Sequence, residues 1–199
     1  MNRRNALKKL GLGTGIVVAT PPFISFLQSC SNETTLWQPK FLTTEEGHVL
    51  KAITDVIIPK TDTPSASELN IPQFIDMYID DVSELDEQKN IKDAFIRLIN
   101  TIKSDYNDNI NSVTEKQYKM LLDKHMLIEK YTLLKEPLSE KNKPISISNL
   151  LNIIKWISIN AYRTTKLIGE TILAYDPIPG SQKGCISLEE ATGGKAWSL

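Results

Sequence analysis

The sequence predicts an all-α protein, a single bundle of about five helices followed by an irregular C-terminal arm. Apolar residues recur at helical spacing from about residue 42 to residue 174, and the alternation typical of strands is rare. Two Thr-x-x-Glu/Gln segments match the capping box that begins many helices. Residues 175–199 are rich in proline and glycine and have no helical period. We therefore divide the folded part into a helical domain, residues 42–174, and an arm, residues 175–199.

Residues 1–29 have the composition of a bacterial export signal. Arg3 and Arg4 begin a basic region without acidic residues, and a long apolar region follows it. The segment NRRNALK resembles the twin-arginine consensus, with Ala6 where phenylalanine is usual. The glycines of GLGTG follow basic residues and not a strand, so they do not match a dinucleotide-binding turn. An uncleaved membrane anchor is the alternative, although two prolines interrupt the apolar region.

The sequence LQSC at residues 27–30 resembles a lipobox, whose cleavage would leave a lipid on Cys30. Acyl chains contribute about 0.8 kcal/mol for each buried methylene, so several chains hold a protein firmly on a membrane. Residues 30–41 would then form a polar tether. We expect export by the twin-arginine route and a lipid anchor that leaves the domain facing the periplasm. The alternative is an ordinary cysteine that follows a signal peptide.

The predicted mature chain, residues 30–199, has 170 residues, which is enough for one domain with a sizeable core. Four of the 23 basic residues and none of the 24 acidic residues lie in the signal, so the mature chain carries five more acidic than basic residues. This balance argues against nucleic acid as a partner. Once Cys30 is lipidated, Cys185 has no second cysteine in its own chain, so it is a free thiol or a link to another chain.

The helical domain begins at the first capping box, Thr43–Glu46, and its first helix ends before Pro59. The second helix begins near Pro72, and the third spans about residues 88–106. A period of 3.6 residues turns one stripe of each helix toward the core. The inward residues predicted for these helices are Val49, Leu50, Ile53, Val56 and Ile57, then Phe74, Ile75, Tyr78, Ile79 and Val82, then Ile91, Phe95, Leu98, Ile99 and Ile102.

The fourth helix follows the second capping box, Thr114–Gln117, and Ser148 is the predicted cap of a long fifth helix. A loop bounded by two prolines, residues 137–144, separates the two helices. The inward residues predicted here are Tyr118, Leu121, Leu122 and Leu133 or Leu134, then Leu150, Leu151, Ile154, Ile157, Ala161 and Ile168.

Residue patterns that would indicate catalysis are missing from the sequence. The two histidines, His48 and His125, are not paired at ligand spacing, and no cysteine motif for haem attachment occurs. The neighbouring carboxylates of Asp80–Asp81 and Glu189–Glu190 would point about 100° apart on a helix, which favours solvated surface. No nucleophile elbow or phosphate-binding loop occurs either. We therefore expect no catalytic, cofactor-binding or metal-binding residues in this chain.

Three short segments carry a family resemblance. They are IIPKTDTPSA at residues 57–66, YRTTKLIG at residues 162–169, and YDPIPG at residues 175–180, which closes on Gly184–Cys185. In this order they resemble the IIPxTDTPGA segment, the Tyr-x-Thr-Ser helix with its following glycine, and the YxPxPGxxxGC arm of the gluconate 2-dehydrogenase subunit 3 family. The resemblance covers about residues 42–199. Ser65 stands where glycine is usual and Thr165 where serine is usual.

The resemblance implies an accessory subunit and not an enzyme in its own right. Members are similar to the small subunit of membrane-associated sugar or sugar-acid dehydrogenases, whose partners are a large flavoprotein and often a cytochrome c. FAD and the catalytic base would then belong to the large subunit. Because twin-arginine export accepts folded cargo, a large subunit without a signal can leave the cytoplasm bound to the small one. The alternatives are a stand-alone periplasmic lipoprotein that binds a ligand or surface partner, and a free-standing enzyme.

We expect the partner to contact the arm. Tyr175 and Trp197 lie near its two ends and are suitable aromatic anchors. Pro177 and Pro179 favour extended backbone, which lowers the entropy lost on docking. Cys185 lies between the aromatic residues and is a candidate for a disulfide to the partner. The alternative is an arm that folds back over the long helix and buries Cys185.

Overall fold

The computed structural model describes residues 37–106, 108–126, 144–178, 180 and 184–198. The predicted signal, Cys30, Leu133, Leu134 and Pro179 lie outside the described residues. Contacts set Gln38–Leu199 apart as one compact unit, and every element named below belongs to it. Within the described ranges, no helix is both long and apolar enough to cross a lipid bilayer.

Helices make up most of the described chain, which confirms the all-α prediction. The α-helices are α1 (Thr44–Ile57), α2 (Ile71–Val82), α3 (Leu85–Asp105), α4 (Glu115–Met126), α5 (Ile147–Thr164) and the short α6 (Leu188–Thr192). A single 3₁₀ turn, Ile110–Ser112, precedes α4, and a π-helical turn, Ile168–Ile172, follows α5. Among the described residues, the one pairing of extended chain is a parallel bridge between Ala174 and Trp197.

Helix α5 lies at the centre of the bundle, because it packs against α1, α2, α3 and α4. The core residues come from the predicted stripes, and burying them supplies roughly 25 cal/mol for each Å² of apolar surface removed from water. The predicted inward residues that are buried are Val49, Leu50, Ile53, Ile75, Ile79, Ile91, Phe95, Leu98, Ile99, Ile102, Tyr118, Leu121, Leu122, Leu150, Leu151, Ile154, Ile157, Ala161 and Ile168.

Helix α2 departs from the predicted stripe at two positions. Phe74 is 48% exposed and Val82 is 61% exposed, although both were expected to face the core. The buried stripe instead contains Asp76 together with Ile75 and Ile79. Each step along a helix turns the side chain by about 100°, so a stripe centred on these residues leaves Phe74 outside it. Because α2 has apolar residues on both sides, its sequence pattern did not show which side faces the core.

The predicted helix starts are confirmed for α1 and α4 and corrected for α5. The Thr43 Oγ1 accepts from the Glu46 N–H at 3.2 Å, and the Glu46 carboxylate accepts from the Thr43 N–H at 2.7 Å. Helix α5 begins two residues earlier than predicted, because the Ser146 hydroxyl, and not that of Ser148, accepts from the Asn149 N–H at 3.1 Å. Ser148 is buried inside the helix.

A buried carboxylate fixes the lead-in segment, which we define as residues 40–46. Asp76 of α2 is 1% exposed. Its oxygens accept hydrogen bonds from three successive backbone N–H groups, those of Lys40 at 2.6 Å, Phe41 at 3.3 Å and Leu42 at 2.9 Å. Hydrogen bonds to an ionised acceptor are stronger than neutral ones, so one side chain holds the start of the domain in place.

A second ionic contact ties the lead-in segment to α3. The Lys92 ammonium donates to the Glu46 carboxylate at 2.8 Å and to the Phe41 carbonyl oxygen at 3.0 Å, and it lies 5.0 Å from the centre of the Phe41 ring. Glu46 is 3% exposed. Removing one member of such a pair leaves the other charge buried without a partner, which is strongly destabilising.

Asp80 and Asp81 lie at the surface, as their sequence pattern favoured, and both pair with Lys40. The Lys40 ammonium is 2.5 Å from an Asp80 oxygen and 2.9 Å from an Asp81 oxygen. Hydrogen bonds to Asp80 and then to Asp81 raise the pKa of the Lys40 side chain. Because Lys40 is exposed, these pairs contribute little to stability compared with the contacts of Asp76.

Candidate functional site

The end of α5 turns the chain into the arm through hydrogen bonds of Thr165. The Thr165 hydroxyl donates to the Tyr162 carbonyl oxygen at 2.8 Å. The Gly169 N–H then donates to the Thr165 carbonyl oxygen at 2.8 Å, and the π-helical turn begins with the buried Ile168. Threonine keeps the hydroxyl that serine would supply here, so the departure from the family motif preserves this contact.

The two ends of the arm are held together by backbone hydrogen bonds. The Ala174 N–H donates to the Ala196 carbonyl oxygen at 2.8 Å, and the Ser198 N–H donates to the Ala174 carbonyl oxygen at 2.8 Å. The chain between these positions leaves the domain and returns to it. The arm is therefore a closed loop at its base and not a free tail.

Gly169 allows the end of the arm to approach the π-helical turn closely. A Cβ atom at this position would lie 2.9 Å from the Ser198 Oγ, which is closer than side-chain carbons pack. The glycine of the Tyr-x-Thr segment therefore has a physical reason, since a side chain here would press against the Ser198 hydroxyl unless the end of the arm shifted. In this respect the arm does fold back onto its own domain, as one of the two sequence interpretations expected.

The arm contains a short helix that the sequence period did not indicate. Helix α6 is capped by Ser187, whose hydroxyl accepts from the Glu190 N–H at 3.1 Å. It ends at Gly193, which has a positive φ of 62°. Five residues are little more than one turn, too few for a periodic pattern, but the Ser-x-x-Glu spacing of a capping box was available to find it.

The base of the arm forms a groove that brings together two of the residues predicted to contact a partner. Its volume is about 610 Å³, and both Tyr175 and Trp197 line it. Each of these aromatic side chains is 52% exposed. They are 22 positions apart in the sequence, and they line the same groove because the bridge places Trp197 opposite Ala174. The other lining residues are Glu170, Thr171, Leu173, Ala174, Asp176, Ala191, Thr192, Gly193 and Lys195.

Two other predicted contact residues, Pro177 and Cys185, are not among the residues that line this groove. Pro177 is exposed and is not among the lining residues. Cys185 is exposed with a free thiol in the described chain, so the interpretation that buried it is wrong. Its backbone has a positive φ of 56°, which is uncommon for a residue other than glycine.

Comparison with known protein families identifies the family of this chain. The sequence model of the family described as gluconate 2-dehydrogenase subunit 3 matches residues 44–180, more than half of the chain. The chain belongs to this family. The match runs from α1 to the first residues of the arm and ends before Cys185 and Trp197. No curated protein and no solved structure matches the chain. Membership gives this subunit 3 protein an accessory role in partnership with a dehydrogenase complex.

The family segment at residues 57–66 forms a compact loop between α1 and α2. The Ala66 N–H donates to the Ile58 carbonyl oxygen at 3.1 Å, and Ala66 is buried. The Ser65 N–H donates to the Glu68 carboxylate at 2.9 Å, and Glu68 also pairs with Lys60. Ser65 is not among the residues with positive φ, so serine in place of the usual glycine is not strained.

A second cavity, of about 460 Å³, lies beside this loop of the subunit 3 protein. Tyr118 of α4 lines it and is 2% exposed, with a hydroxyl that has no hydrogen-bond partner among the described residues. Burial raises the pKa of Tyr118 to about 12, so its hydroxyl stays protonated at neutral pH. Two lining charges are already engaged: Asp55 accepts from the Ser67 N–H at 2.9 Å, and Lys60 pairs with Glu68.

The two histidines of the subunit 3 protein have different surroundings. His48 is exposed and lines the second cavity, whereas His125 is half-buried on α4. Burial lowers the pKa of the His125 imidazole, the Lys124 charge lowers it further, and Asp105 opposes both effects. Across the described ranges, no three His, Cys, Asp or Glu side chains come together in a group that could hold a metal ion.

Proposed function

We propose that the chain is a non-catalytic small subunit of a gluconate 2-dehydrogenase-like flavoprotein complex on the periplasmic side of a membrane. In this role it exports, anchors or stabilises a large FAD-containing subunit, and a cytochrome c can complete the complex. Family membership supports the accessory role. The twin-arginine pattern at Arg3 and Arg4 and the lipobox ending at Cys30 support export and anchoring.

The observation that carries the proposal is an arm whose base is fixed while its apolar side chains remain exposed. Tyr175, Ile178, Leu188 and Trp197 are all exposed. Exposed apolar side chains that lie together on a defined surface suit contact with another protein, and Tyr175 and Trp197 line one groove. Because the backbone is already closed by the bridge at Ala174, docking orders less chain and loses less entropy.

The lead-in segment suits the anchoring part of the proposal. If Cys30 carries the lipid, the ten residues 30–39 can span at most about 35 Å from the bilayer to Lys40. The chain is held firmly from Lys40 onward by Asp76. The domain and any bound subunit would then stay close to the membrane surface.

The experiment follows the large flavoprotein in strains that express variants of this chain. Deleting the chain should leave the flavoprotein folded and flavin-loaded in the cytoplasm, and replacing both Arg3 and Arg4 by lysine should do the same. Cys30→Ala should allow export but release both chains from the membrane. Normal export of the flavoprotein in the deletion strain would overturn the escort role.

The arm is tested in the same strains with the double variant Tyr175→Ala/Trp197→Ala. We expect the variant to be exported and helical by circular dichroism but to lose most of the co-purifying flavoprotein. Phe74→Ala is the matched control, because it removes an exposed aromatic side chain from α2 instead of the arm. Non-reducing electrophoresis of the native complex tests the predicted disulfide of Cys185. If the arm variant retains the flavoprotein as well as the control does, the arm is not the contact surface.

A further inference from the structure

We propose that the groove at the base of the arm receives a cationic side chain of the partner protein, with arginine preferred over lysine. This inference rests on the proposed function for the identity of the partner and not for the chemistry of the groove. Two features of the groove support it, namely two exposed aromatic side chains and two carboxylates without ionic partners among the described residues, and the arm adds two further exposed apolar side chains.

The aromatic pair supplies faces that attract a cation. Tyr175 and Trp197 both line the groove and are each 52% exposed, so their rings are open to a ligand. The bridge at Ala174 and the close approach of Ser198 to Gly169 fix the backbone beside them. Cations bind over aromatic faces, most strongly over tryptophan, and a fixed backbone keeps both residues on the groove at a lower entropic cost on binding.

The carboxylates of the groove supply the opposite charge. Glu170 and Asp176 line it, and neither forms an ion pair within the described residues. One Asp176 oxygen accepts from the Ile178 N–H at 3.1 Å, which orients this carboxylate. Lys195 is the one basic lining residue, and it pairs with neither acid in the described chain. The groove therefore has an excess of negative charge.

The surroundings of the groove favour a protein side chain over a lipid surface. Helix α6 adds Glu189 and Glu190, so the sequence from residue 170 to residue 199 holds four acidic residues and two basic residues. An anionic membrane would be repelled by this charge. The exposed Ile178 and Leu188 of the arm suit an apolar protein surface around the bound cation.

Arginine matches the groove better than lysine does. The planar guanidinium stacks on aromatic rings and offers several N–H donors in a rigid fork that matches the geometry of a carboxylate. The ammonium of lysine is a compact, strongly hydrated charge that loses more hydration on entering the groove. The partner surface should therefore present an arginine within an apolar patch.

The test uses the full-length protein purified from cells that express it with Trp37 and Trp156 replaced by phenylalanine. Trp197 is then the single tryptophan. The probes are the peptide acetyl-Gly-Arg-Gly-amide and its citrulline counterpart, which has the same shape without the charge. We expect saturable change of Trp197 fluorescence with the arginine peptide and at least about 5-fold weaker binding of the citrulline peptide. Higher salt should weaken the arginine peptide alone.

The double variant Glu170→Gln/Asp176→Asn should reduce binding of the arginine peptide to the level of the citrulline peptide. Asp93→Asn/Asp123→Asn is the matched control, since it removes two exposed carboxylates from α3 and α4. Equal binding of the two peptides, or no response to arginine peptide at millimolar concentration, would overturn the inference. If the chain binds the flavoprotein but not the arginine peptide, the inference about the groove is wrong and the proposed function stands. If the groove binds the arginine peptide but no flavoprotein partner is found, the proposed function is wrong and the inference about the groove stands.

Discussion

The lead-in segment and the arm are two ends of one domain, and they are fixed in different ways. The lead-in segment is held by two buried carboxylates, Asp76 and Glu46, and Glu46 pairs with the half-buried Lys92. The arm is held by two backbone hydrogen bonds at Ala174 and by the missing side chain of Gly169. The first end is held by two buried side chains of the domain, Asp76 and Glu46, and within the described residues the second is held by backbone contacts at its base.

This difference assigns different tasks to the two ends. A buried carboxylate that accepts three hydrogen bonds holds the start of the domain in place and exposes almost no surface to a partner. This suits the point at which the proposed membrane tether joins the domain. An arm closed at its base keeps its aromatic residues exposed in a defined place, which suits recognition. The comparison therefore predicts that variants of the lead-in segment change global stability, whereas variants of the arm change local protection and partner binding.

The largest effect is expected from Asp76→Ala. The change leaves the backbone N–H groups of residues 40–42 without their acceptor, and that of Leu42 is buried, so the free energy of unfolding should fall by about 3 kcal/mol. Urea denaturation measures the loss. Hydrogen exchange should become faster at the Leu42 amide while the amides of Ala174 and Ser198 keep their protection.

Asp81→Ala is the control for this prediction, because Asp81 is exposed and its pair with Lys40 lies in solvent. Its free energy of unfolding should change by less than about 0.5 kcal/mol. If the two variants were equally stable, the lead-in segment would not depend on Asp76. Loosening of the arm together with the lead-in segment would show that the two ends are not independent.

The same contrast explains what the sequence could predict. The helices carry regular apolar stripes and capping boxes, so their order and most of the core followed from local pattern. Asp76 was not predicted, because a lone acidic residue inside a helix resembles surface, and its donors lie 34 to 36 positions away. Only the fold reveals that the carboxylate replaces an apolar residue in the buried stripe.

For the candidate site, the sequence suggested two of the residues that line the groove but not their arrangement. Tyr175 and Trp197 were selected as aromatic anchors at opposite ends of the arm, and the bridge brings them to one groove. Glu170 and Asp176 had no pattern that linked them to Trp197. A contact between segments more than 20 residues apart depends on how the chain returns, which neither propensity nor period specifies.

A moderate effect is expected from Gly169→Ala. The added Cβ would contact the Ser198 Oγ, so the end of the arm must shift and the bridge weakens by about 1 kcal/mol. Hydrogen exchange at the Ala174 and Ser198 amides measures this change, and global stability should alter less. Because the contact involves a side-chain atom, Ser198→Gly in the same chain should restore protection. Gly180→Ala is the control, since nothing lies within 4 Å of a Cβ atom there.

The smallest effect is expected at His125, which belongs to neither end. Burial lowers the pKa of this imidazole below its ordinary value of 6.5, so the unfolded chain takes up a proton at higher pH than the folded chain does. Stability that is present above about pH 6.5 should therefore fall as the pH decreases through the folded pKa, and then level off. His125→Gln should remove this part of the pH dependence between pH 7.5 and 5.5 in urea denaturation, whereas His48→Gln should keep it.

Hydrogen exchange at the Leu42 and Ala174 amides should respond equally to protonation of His125, because the titration acts on the bundle to which both ends are attached. A pH effect confined to one end would contradict the view that the bundle is a common support for two independent attachments.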